Sequence, residues 1–88
     1  MPAYIVAYDL RTPGKDYTNL IKALESFPHC KPQQSLWLIE SAYGAIAIRD
    51  ALSKHLDYND TIMVSEVSRS WAGRGMPKCG AWLNAKGY

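Results

Sequence analysis

The stretch "AYIVAYDLRTPGKDYTNLIKALESF", Ala3 to Phe27, changes its hydrophobic period in the middle, and that change decides the fold. In its first part both alternating sets, Ala3/Ile5/Ala7 and Tyr4/Val6/Tyr8, are apolar. A strand lined with apolar side chains on both sides is covered on both sides, so Ala3–Leu10 reads as a central strand. After the Pro13-Gly14 break, Tyr17, Leu20, Ile21, Leu24 and Phe27 recur at the spacing of one helical face, with Asp16 as N-cap and Pro28 as the stop. Strand followed by helix is the opening of a mixed α and β domain.

Working outward, "PHCKPQQ" carries two prolines and offers at most a short edge strand, whereas "SLWLIES" is a second strand apolar on both faces. The two make a hairpin. Ala45–Leu56 reads as a helix with Gly44 at the N-cap, a Tyr43/Ile48 staple and an Ile48/Leu52/Leu56 stripe. "DYND" is a turn, and "TIMVSEV", less apolar because of Ser65 and Glu66, reads as an edge strand. The order β-α-β-β-α-β predicts an α+β, ferredoxin-like sandwich over residues 1–68. Residues 69–88 form a basic, Gly-rich C-terminal extension that packs on the domain or on a partner subunit, with room for one short helix from Pro77 to Leu83. In such a fold the first and third strands are central. If Tyr4, Tyr8 and Trp37 share the sheet face that the helices leave open, they form an aromatic partner surface.

The composition, 48% hydrophobic and 20% charged over 88 residues, is that of one small globular domain. No apolar run is long enough to cross a bilayer and the first residues lack the pattern of a secretion signal, which predicts a cytoplasmic protein without a membrane partner. Cys30 and Cys79 are far apart and not set among histidines, so two reduced thiols are expected rather than a zinc site or a redox pair. The net charge of +2 hides an asymmetry: residues 1–68 hold six basic and eight acidic side chains, whereas residues 69–88 hold four basic and none acidic. Arg69, Arg74 and Lys78 with Trp71, Trp82 and Tyr88 combine phosphate-binding charge with stacking surface, as DNA or RNA would require. The competing reading is a solvated surface, or a protein-docking tail anchored by Trp71, Arg74 and Trp82. His29 and His55 stand alone, and the familiar hydrolase, protease, nucleotide-hydrolase and redox motifs are absent.

Three stretches, "AYIVAYDL", "QQSLWLIE" and "DTIMVSEV", together with the order of elements, resemble the CRISPR-associated "Cas-two" family over residues 3–68. "SLWLI" followed by the helix "IRDAL" and by "HLDYNDTIMV" is more similar to the family's SinR-like and VapD-like branch. The resemblance implies a homodimer associated with DNA or RNA. It also implies that Asp9, at the end of the first strand, meets its dimer mate to hold Mg²⁺ or Mn²⁺ for phosphodiester cleavage. From the residues themselves, Arg11 and Lys15 beside it are candidate phosphate contacts, and the competing reading is a solvent-facing loop with Asp9 as a strand-end acid that accepts its hydrogen bonds. Other members of the family serve as non-catalytic scaffolds, so enzyme status stays open. The chain departs from the family pattern at Trp37-Leu38, where the acid arrives only at Glu40, and in "WAGRGMPKCGAW", which lacks the alternation of a swapped strand.

Overall fold

The computed structural model describes all residues from Met1 to Tyr88. It is an α+β fold in the order β1 (Ala3–Asp9), α1 (Thr18–Glu25), β2 (His29–Gln33), β3 (Leu36–Glu40), α2 (Ala45–Ser53), β4 (Thr61–Glu66) and α3 (Pro77–Ala85). The strands form one antiparallel sheet in the order β2-β3-β1-β4. The two strands apolar on both sides, β1 and β3, are the inner pair, in the register Tyr4 opposite Ile39 and Val6 opposite Trp37.

That register sorts the apolar side chains into two separate cores. On one face Tyr4, Val6, Tyr8, Trp37 and Ile39 pack with Leu20 and Leu24 of α1 and with Ile48 and Leu52 of α2. Tyr4, Tyr8 and Trp37 therefore lie beneath α1 and α2, and the face they occupy is not open. The polar ends of Trp37 and Tyr8 are served inside the fold: the Trp37 indole N–H donates to the Tyr8 hydroxyl at 3.0 Å, and that hydroxyl donates to the Gln34 carbonyl at 3.3 Å. On the other face Ala3 and Leu38, with Ile5 at the margin, pack against Val67, Cys79 and Leu83, flanked by Trp71, Met76, Trp82 and Tyr88. The C-terminal segment thus covers its own sheet. α3 begins with Pro at N1, where a missing N–H costs nothing, and is too short to persist as an isolated helix; docking on the sheet sustains it.

Several details differ from the sequence reading, each for a local reason. Asp16 stands one residue before the N-cap position of α1; its carboxylate accepts the Thr18 N–H at 2.9 Å and the Thr18 hydroxyl, so it caps the helix from further upstream. α2 stops at Ser53, three residues short of Leu56, because the chain tightens into turns in which His55 and Leu56 donate to the carbonyls of Leu52 and Ser53. The β2–β3 ladder shifts register between Cys30 and Gln33, around Pro32, which has no N–H to give it. Cys30 and Cys79, expected as free thiols, are joined in a disulfide, with Cα atoms 5.7 Å apart. Their 49-residue separation concealed that the edge strand and the last helix lie side by side.

Two substitutions test this division. Ile39→Ala, which empties a site fully shielded from solvent, is expected to lower unfolding stability by about 2–5 kcal/mol. Met63→Ala, at a side chain 63% exposed on the edge strand, should change it by less than about 0.5 kcal/mol. Urea denaturation of the two variants beside the parent measures both.

Candidate functional site

Asp9 is the last residue of β1, paired across the ladder with Thr61 at the start of β4. Its carboxylate is well exposed and forms a salt bridge with the Arg11 guanidinium, Arg11 Nε to Asp9 Oδ2 at 2.9 Å. Lys15 is also engaged, its Nζ 2.7 Å from Asp57 Oδ1. Both cations expected on phosphate are therefore neutralised by the protein itself. No group of three or more His, Cys, Asp or Glu side chains is arranged to hold a metal ion. Within one chain Asp9 offers a single carboxylate already bonded to a cation, which does not fit the several hard oxygen ligands that Mg²⁺ takes.

What the loop after β1 does hold is the turn before β4. Asp60 accepts the Arg11 N–H at 2.7 Å, the Asp57 N–H at 2.9 Å and the Tyr17 hydroxyl at 2.7 and 2.9 Å. The Thr12 hydroxyl donates to Asn59 Oδ1 at 2.8 Å, and Asn59 Nδ2 donates to the Arg11 carbonyl at 3.3 Å. Burial pushes the Asp60 carboxyl up, but the hydrogen bonds from the Arg11 and Asp57 N–H groups and from Tyr17 outweigh it and hold the group below the usual carboxylate range. Asp57 is lowered chiefly by its hydrogen bond from Lys15, and the same bond raises Lys15. Asp57, Asn59 and Asp60 were legible as turn formers; that they grip a loop more than forty residues away was not.

The other concentration of candidate residues is the C-terminal segment. Arg69, Arg74 and Lys78 are all exposed, and none forms a salt bridge. The same segment carries a surface groove of about 430 Å³, lined by Trp71, Gly73, Gly75, Met76, Pro77, Gly80, Ala81 and Asn84; none of the three cations is among its lining residues. Backbone requirements shape this groove. Gly75 has φ +75°, in the left-handed region that side chains disfavour. A Cβ on Gly73 would stand 2.6 Å from the Met76 sulfur, so glycine is needed for Met76 to pack there. Trp71 is half-buried, its outer side turned to the groove and its inner side packed at the margin of the second core. Trp82, by contrast, has the Lys86 ammonium 4.5 Å from its ring centroid and does not line the groove. The glycine spacing was visible in the sequence as a helix breaker; its role in opening a recess beside Trp71 required the fold.

No protein-family profile matches the chain, and no curated protein matches it in sequence. No helix is long and apolar enough to cross a membrane.

The depressed carboxyls of Asp57 and Asp60 fix the sign of one pH effect. A group whose pKa is lower in the folded than in the unfolded chain contributes stability that is complete above its unfolded value, 3.8 for both, and is lost as pH falls through the lower folded value. Stability is therefore expected to fall as pH drops below about 4. Asp60→Ala should be less stable than the parent at neutral pH and show a shallower acid limb, as read from urea midpoints taken across the acid range.

Proposed function

We propose that the chain is a nucleic-acid-associated protein whose C-terminal groove holds a segment of single-stranded DNA or RNA. The observation that carries this reading is the glycine-framed groove over Trp71, whose chain neighbours Arg69, Arg74 and Lys78 are exposed and free of acidic partners. A half-exposed indole supplies a stacking platform for a base, and the unpaired cations of the same segment would meet phosphates flanking it. None of the residues lining the groove is acidic. The antiparallel order β2-β3-β1-β4 with α1 and α2 on one face supports a ferredoxin-like assignment for residues 1–68, and with it the likeness to the Cas-two family and its SinR-like branch. The role proposed is binding. Phosphodiester cleavage with Mg²⁺ or Mn²⁺ at Asp9 is left to a homodimer that brings a second carboxylate, since one chain supplies only the Asp9–Arg11 pair. The cytoplasm remains the proposed location.

A second reading, a non-catalytic protein-interaction module, is favoured by one feature. β4 is an outer strand, and Met63 on it and Ile46 on the adjacent α2 are 63% and 69% exposed. A partner strand or a second copy would cover both, whereas the two sheet faces are already occupied.

Binding of short labelled oligonucleotides, one DNA and one RNA, decides between the readings. The nucleic-acid reading expects affinity that weakens with salt, a loss of about 1–3 kcal/mol in Trp71→Ala from lost stacking, and a salt slope reduced by about 0.7 in Arg74→Ala for one lost phosphate contact. Binding that ignores salt, or a Trp71→Ala variant that binds as the parent does, rejects it.

A further inference from the structure

The Cys30–Cys79 disulfide occupies a place where thiol exchange has a structural consequence. Cys79 is the third residue of α3, following Pro77 and Lys78, so its sulfur sits at the positive end of the helix dipole with no acidic residue in the first turn. Lys78 and Cys79 line a shallow surface groove of about 280 Å³ together with Lys31, Pro32, Gly75, Met76 and Pro77. Cys30 is half-buried on the outer strand β2, whereas Cys79 is only 4% exposed. The ammonium of Lys31 itself lies over Trp37 on the opposite face of the sheet.

The attachments of the C-terminal segment are unevenly spread. At its far end Lys86 pairs with Glu40 at 3.2 Å, both side chains largely buried, and the Tyr88 hydroxyl accepts the Ala3 N–H at 3.1 Å. At its near end residues 69–75 make no hydrogen bond to the body of the protein, the Ser68 and Ser70 bonds being local. From Val67, whose N–H bonds the Ala3 carbonyl, to the end of α3's first turn, the only covalent or polar attachment is the disulfide; the rest is packing by Trp71 and Met76.

We propose that Cys30–Cys79 is a thiol–disulfide exchange site at which a dithiol reductant unlatches the front of the C-terminal segment while the α1/α2 core stays folded. One thiolate of the reductant attacks the more exposed Cys30 sulfur and the S–S bond breaks, leaving Cys79 as a thiolate at the helix N-terminus, the better placed leaving group. The reductant's second thiolate then attacks the mixed disulfide and releases Cys30. Two electrons pass to the protein, both cysteines take up protons from the reductant and solvent, and the reductant becomes a disulfide. Removing this cross-link returns the near end of α3 to packing alone. Because the larger core lies on the other face of the sheet and contains no residue beyond 66, release is local. This inference rests on the fold and not on the nucleic-acid reading.

Hydrogen exchange with mass-spectrometric readout on the intact protein, oxidised and after treatment with a dithiol, tests it, with alkylation reporting the thiols. Reduction is expected to proceed in native buffer and to accelerate exchange of the α3 amides on the order of a hundredfold, the effect of losing a long cross-link, with β1 and β3 as protected as before. The double variant Cys30→Ser/Cys79→Ser should exchange as the reduced parent does. Three results overturn the proposal: a bond that resists the dithiol until the protein is denatured, α3 protection equal in both redox states, or loss of protection throughout the chain on reduction.

Discussion

A sheet of four strands has two broad faces, and where its inner strands are apolar on both sides an 88-residue chain must find cover for each. Every other feature follows from that constraint. Two helices, inserted between strands, cover one face because their connections return the chain to the sheet from the same side. The other face is left to whatever follows the last strand, and here that is a nine-residue helix with a glycine inside it. Such a helix has little stability of its own, so it is held at both ends, by a disulfide at one and by a half-buried ion pair with a tyrosine hydroxyl at the other. Function, if it resides in the C-terminal segment, rests on the part of the molecule with the fewest intrinsic reasons to be ordered.

The loops at the end of the sheet where β1 leaves and β4 enters solve a different problem. Two connections rich in polar and charged residues meet there, and their backbone and side-chain donors need acceptors. Asp60 accepts from three donors, the Arg11 and Asp57 N–H groups and the Tyr17 hydroxyl shared between its two oxygens, and Asp57 takes the Lys15 ammonium. The carboxylates thus fasten the first loop to the last turn. The charges nearest the strand end serve the fold, whereas Arg69, Arg74 and Lys78 of the tail form no salt bridge.

The strands and helices were legible because their signals are local. The doubly apolar patterns of Ala3–Asp9 and Leu36–Glu40 define inner strands, and Pro28 and Pro77 mark a stop and a start. The alternation of Tyr4, Val6 and Tyr8 against Trp37 and Ile39 was legible as one face, but not which face, since a period of two says nothing about which side a helix crosses. The helix-covered side takes the aromatic set, and the smaller Ala3 and Ile5 turn to α3. The disulfide and the Asp60 network were not legible because each joins residues more than forty positions apart, and nothing local marks such a pairing. Likewise, Trp71 stood out by residue type, while its groove depends on Gly73, Gly75 and Gly80, which in sequence read only as interruptions.

Pro32 gives the sheet a handedness of another kind. Of its two outer strands, β2 is broken in register around a residue with no N–H, while β4 runs six residues without proline. A sheet that can be extended from both edges polymerises without limit; one with a single usable edge cannot. Of the two outer strands, only β4 therefore presents an unbroken run of backbone donors and acceptors along its free side.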